Sequence, residues 1–195
     1  MNRGFHPLLE VEMRTLCMLL PFVTILSLAI GCQNKEAIAE FEAMKVRAEV
    51  EERNKELIRQ YYIELDATDI GALGEFVARF VSPEFVLHLP GGVDIIGTEA
   101  LREYYVGSSE AFPAAVHTID DLIAEGDKIA FRATTRGSYR GEFMGIRPTG
   151  NEVTITFDGF CQIRDGKIVE WWSEWDALGL MTQLGMQLTP SAGER

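Results

Sequence analysis

The chain has 195 residues and a formal charge of −12, with 18 Lys and Arg against 30 Asp and Glu. A phosphate-binding surface needs clustered base, and the basic residues here are scattered, so no nucleic-acid partner is expected. Three cysteines without C-x-x-C and three histidines without H-x-x-x-H argue against a disulfide framework and a zinc site.

From the N-terminus, the run Leu16–Ile30, "LCMLLPFVTILSLAI", is short for a membrane span and has the length of a signal-peptide apolar region. It ends in "LAIGC", so residues 1–32 read as a bacterial lipoprotein-type signal with Cys32 as the lipid-bearing mature start. Ala29 departs from the Leu that such signals usually carry. Glu10 and Glu12 are out of place in a basic leader, and a start at Met13 would remove them. An uncleaved anchor and a buried helix are the alternatives. The expectation is an exported protein, anchored to the cell envelope through Cys32, with Gln33 pointing to the outer membrane. Cys161, alternating with apolar neighbours, is then the only free thiol and reads as core.

Residues 33–50 are rich in Ala and Glu and predict a helical tether. The domain is expected over 51–188, with a tail at 189–195. Val50, Leu57, Ile58, Tyr61, Tyr62 and Leu65 recur at three- and four-residue steps, the face of an amphipathic helix. A shorter helix follows over about Ile70–Val81. Next comes a strand in "SPEFVLHLPGG", and then a helix over about Thr98–Ala111. After His117 the pattern alternates: "TIDDLIAE", "KIAFRATTRGSYR", "EVTITFDGFCQI" and "KIVEWWSEWD" predict four strands, and Asp165-Gly166 predicts a tight hairpin. Helices followed by a meander predict an α+β domain, its helices packed on one face of a curved antiparallel sheet.

Three segments carry a resemblance: "HTIDDLIAEGDKI" at His117–Ile129, "GSYRGEFMGIRPTG" at Gly137–Gly150, and "DGKIVEWWSEWDALGL" at Asp165–Leu180. Together they resemble the SnoaL-like ester cyclases of the NTF2-like superfamily, from about Glu52 to Met186. The resemblance implies a cone-shaped barrel, often dimeric through its sheet, with an apolar cavity between helices and sheet. It also implies intramolecular aldol cyclisation of esters without metal or organic cofactor. The acid/base residue it implies is an aspartate near the end of the last strand, a position that Asp176 occupies.

The last strand is dense in both tryptophan and acid. Parity puts Glu170, Trp172, Glu174 and Asp176 on one face and Trp171, Ser173 and Trp175 on the other. Periodicity alone leaves the inward face open, and the resemblance favours the Trp172/Asp176 face. A carboxylate beside indole in a dry cavity suits proton transfer. Equally, Asp176 is a strong N-cap for the helix "ALGLMTQLG". The candidate ligand-binding residues are His88, Trp172, Arg132, His117, Tyr62 and Glu174. For each, a structural role stands beside the functional one: a hydrogen-bonded histidine, a solvated arginine, a core tyrosine. Gln162 stands about where the family often has His or Arg. The expected ligand is a small, largely apolar ester or ketone. The rival readings are a non-catalytic module for a hydrophobic metabolite or lipid, and an interaction domain.

Overall fold

The computed structural model describes residues 7–187, with side chains from Lys35 onward. The signal-peptide reading, Cys32 included, falls on residues whose side chains lie outside that description, and so does the tail. Contacts divide the chain into two units, Met1–Arg47 and Ala48–Arg195. In the first, Pro7 onward is helical, and the side chains from Lys35 are exposed. Among the described residues no helix is long and apolar enough to cross a membrane.

The second unit begins within helix α1 (Pro7–Ala67), whose apolar stripe buries Ile58, Tyr61 and Tyr62. A 3-10 turn (Ile70–Ala72) leads into α2 (Leu73–Phe80), which inserts Leu73, Phe76, Val77 and Phe80 into the same core. Strand β1 (Val81–Leu89) hairpins into β2 (Val93–Ile96), and α3 (Gly97–Ala111) follows. The meander is β3 (Val116–Glu125), β4 (Lys128–Ser138), β5 (Glu152–Arg164) and β6 (Lys167–Trp175), closed by α4 (Ala177–Gln183). Asp165 and Gly166, at φ of 52° and 72°, form the predicted tight turn, which needs positive φ at both central positions.

The six strands run in the order β2-β1-β6-β5-β4-β3 and do not close on themselves. The α+β class with a curved sheet holds, but the sheet is mixed rather than antiparallel. The chain leaving β1 passes through α3 and the meander and returns with β6 parallel to β1. The short edge strand β2 was not anticipated. At one end of the sheet, Asn54 of α1 donates to the Gly126 carbonyl at 2.9 Å, while Glu51 accepts from Gly126 N–H at 2.9 Å. These contacts tie the helix to the β3–β4 turn.

One irregularity decides which face of β6 is buried. Gln162 pairs with Glu170 but its neighbour Ile163 pairs with Ile168, so Val169 is an extra residue with no partner on β5. Such a bulge reverses the alternation beyond it. Ile168 points inward, and past Val169 the odd-numbered residues do: Trp171 is 4% exposed and Trp172 38%.

The segment between β4 and β5 builds a second, smaller core. Tyr139 is fully buried, stacks on Phe112 at 5.4 Å and donates its hydroxyl proton to the Ile146 carbonyl. Arg140 and Gly141 donate their N–H groups to the Ala111 carbonyl at the end of α3. Phe143 meets Phe112 edge-on at 5.2 Å.

Candidate active site

Helices and sheet enclose a cavity of about 490 Å³. Its apolar wall comes from Leu87 of β1, Phe157 of β5, Trp171 and Trp175 of β6, Phe143, and Leu180 of α4. A volume of this size suits a small organic molecule.

The polar groups come from the other elements. The last turns of α1 contribute Tyr62 and Asp66, β3 contributes His117, β4 Thr135 and β6 Ser173. Asp66 sits one helical turn beyond Tyr62, on the same face. Its Oδ1 accepts from His117 Nδ1 at 2.5 Å, and its Oδ2 accepts from the His117 backbone N–H at 2.8 Å. Both side chains are 19% exposed. The imidazole lies against the Tyr62 ring at 5.1 Å and edge-on to Phe157 at 6.3 Å. Thr135 is the register partner of His117 across β3 and β4.

The tyrosines behind this cluster stay protonated. Burial pushes the Tyr61, Tyr62 and Tyr105 phenols well above the ordinary tyrosine range. Tyr61 and Tyr105 share a hydroxyl–hydroxyl hydrogen bond, whereas the Tyr62 hydroxyl has no partner among the described residues. Trp171 Nε1 is likewise buried without a hydrogen-bond partner, its indole edge-on to Tyr61, Tyr62 and Phe131. Cys161 is fully buried, and burial raises its thiol pKa, so it packs as an apolar group. Among the described residues no group of three or more His, Cys, Asp or Glu forms a metal site.

The candidate residues separate into three places. Tyr62 and His117 line the cavity. Trp172, Glu174 and Arg132 lie instead around a shallow hollow on the outer face of the sheet, beside Phe160. His88 is on that face too: it stacks on Trp172 at 5.1 Å and bonds Asp94 at 2.8 Å and Glu170 at 3.0 Å. The expected inward face is therefore corrected: parity grouped these residues rightly, and the face that the resemblance favoured is the outer one. Asp176 stands at the strand end as the N-cap of α4, exposed and outside the cavity lining. Its Oδ1 accepts from Gly179 N–H at 2.8 Å. A Cβ at position 179 would collide with that carboxylate, which accounts for glycine in the "DALG" stretch. Gln162 is half-buried and donates to Asp127 at 3.2 Å. Asp66, Trp171, Ser173 and Trp175 were not among the candidates. Asp66 was legible as an acid continuing the apolar stripe four residues after Tyr62.

A curved sheet backed by helices, with one apolar cavity carrying a few polar groups, defines a small-molecule-binding α+β domain. The chain belongs to the SnoaL-like polyketide cyclase family, whose pattern matches residues 56–184. Among solved structures, a candidate SnoaL-like polyketide cyclase from Jannaschia sp. CCS1 is 22% identical, with a TM-score of 0.65 over 71% of this chain and 96% of that one. IdmH from Streptomyces antibioticus, a candidate polyketide cyclase, is 29% identical, with a TM-score of 0.59 over 68% and 99%. AclR from Streptomyces galilaeus, a candidate hydroxylase, is 25% identical, with a TM-score of 0.60 over 71% and 85%. No curated protein matches the chain.

Proposed function

We propose that the domain takes a small, largely apolar ester or ketone into its cavity and performs acid/base chemistry on it without a cofactor. The observation that carries this reading is the cavity of about 490 Å³, apolar for most of its wall and polar where α1 meets β3 and β4. Membership of a polyketide cyclase family supports the substrate class. Trp171 and Trp175 line the cavity, so ligand entry is expected to change their fluorescence. Titration of the full-length protein with aryl ketones and aryl esters tests this. Saturable quenching by such compounds is the expected result, and a flat response across the panel sinks the reading. Binding without any turnover of a bound carbonyl compound would favour the carrier function instead.

Two further proposals concern context. The apolar run Leu16–Ile30 before Gly31-Cys32 supports anchoring through Cys32, and metabolic labelling with a radioactive fatty acid, lost in Cys32→Ser, checks it. The exposed Ile123, Phe160 and Trp172 on the outer sheet face support pairing of two copies. Trp172→Glu should then lower the sedimentation mass by half.

A further inference from the structure

Chemistry on an ester or ketone in the cavity needs a group that can remove a proton and return it, and the lining offers few. Tyr62 and Tyr105 are held protonated by burial. Asp66 is committed through both oxygens to His117. Asp69 lies in the exposed turn after α1. The family's implied aspartate, Asp176, is outside the lining and bonded to Gly179.

We propose that His117 is the proton-transfer base of this cavity and that Asp66 is its positioning residue. The proposal rests on the reading that the cavity takes a carbonyl compound. An ionised carboxylate only accepts hydrogen bonds, so the imidazole nitrogen facing Asp66 must carry the proton. In the neutral imidazole this places Nδ1–H toward Asp66 and the lone pair on Nε2. Among the described residues nothing bonds Nε2, and His117 lines the cavity. The second bond, from the His117 backbone N–H to Oδ2, holds the carboxylate square to the residue it orients, while Tyr62 and Phe157 fix the ring plane. The same arrangement of base and orienting carboxylate serves proton transfer in unrelated enzymes.

The step balances without a further reactant. Nε2 takes a proton from the carbon next to the carbonyl, and the C–H electron pair passes into the enolate. The Tyr62 hydroxyl, neutral and unpaired, can donate to the enolate oxygen. The enolate carbon then either recovers the proton from Nε2 or adds to a second carbonyl of the same molecule. In the latter case the new alkoxide takes that proton.

The test uses the full-length protein in D₂O with acetophenone and methyl phenylacetate, following deuterium entry at the α-carbon by NMR. Tryptophan quenching measures binding of each compound in parallel. Wild type is expected to exchange a bound compound, and His117→Gln to lose about 100-fold or more in rate while keeping its affinity within a few-fold. Asp66→Asn should lose at least about tenfold, and the His117 ring ¹⁵N shifts should report a changed tautomer, which a merely structural carboxylate would not alter. Asp176→Asn should exchange at the wild-type rate. Exchange that survives His117→Gln, or that vanishes in Asp176→Asn, overturns the assignment. Binding without exchange in the wild type overturns it too, but leaves the cavity reading standing. Absence of binding overturns both. Should His117→Gln fail to fold, Asp66→Asn decides: unchanged exchange with an unchanged His117 tautomer refutes the proposal.

Discussion

The two faces of β6 carry tryptophan for opposite reasons. On the inner face Trp171 is 4% exposed, packed among Tyr61, Tyr62 and Phe131, and it walls the cavity together with Ser173 and Trp175. On the outer face Trp172 is 38% exposed and lies between Glu170 and Glu174, stacked on His88 and 5.6 Å from Phe160. Neighbouring residues of one type thus belong to two environments, and a single unpaired residue, Val169, assigns them. Acids crowd the strand because its outer face is solvated. They do not show that the cavity is acidic.

Inserting one alanine between Glu170 and Trp171 attacks that assignment directly. Alternation beyond it would flip, sending Trp172 and Glu174 inward and Trp171 and Trp175 outward. Loss of cooperative unfolding in a thermal melt by circular dichroism is expected, and a native-like melt would show that the residue count past the bulge does not set the faces. A gentler contrast is Trp171→Ala against Trp172→Ala. The buried indole should cost about 3–5 kcal/mol and the exposed one less than about 1 kcal/mol, read from urea midpoints. Equal costs would mean that the two faces are packed alike.

At the strand end, Asp176→Ala removes the cap of α4 and should cost about 1 kcal/mol without changing ligand affinity. A large loss of affinity with unchanged stability would return Asp176 to the cavity.

The smallest effect concerns His88. Hydrogen bonds to Glu170 and then Asp94 raise its pKa above the ordinary 6.5. Its folded pKa therefore exceeds the unfolded one, and its stabilising contribution is complete below about pH 6.5 and lost as pH rises through the folded value. Both carboxylates are more than a third exposed, so solvent keeps the effect small. Wild type should lose its advantage over His88→Gln as pH rises above about 6.5. An advantage independent of pH would mean that packing on Trp172 holds the ring, without its charge.

Much of the fold was legible because local rules dictate it. The three- and four-residue spacing marked the inner stripe of α1, and Asp165-Gly166 marked the β5–β6 turn. Partner choice is not local. Nothing in "EFVLHL" or "KIVEWW" announces that β1 and β6 run parallel, and β2, four residues long at an edge, has too little pattern to register. The site was harder still. His117 and Tyr62 were legible as candidates, but the carboxylate that gives His117 a defined tautomer lies 51 residues upstream, on a helix. Trp172 and Glu174 drew notice because the resemblance chose their face where parity left it open, His88 because it alternates with apolar neighbours, and Arg132 because it shares a strand face with Thr134.

Phe143 supplies part of the cavity wall from a connection, whereas strands and helices supply the rest. The Tyr139 hydroxyl and the paired N–H groups of Arg140 and Gly141 clamp that connection at its own base. Evolution can therefore lengthen, shorten or re-tip the segment around Phe143 and leave every strand register untouched. The shape of the cavity can drift at this one connection while Asp66 and His117, built on α1 and β3, stay fixed.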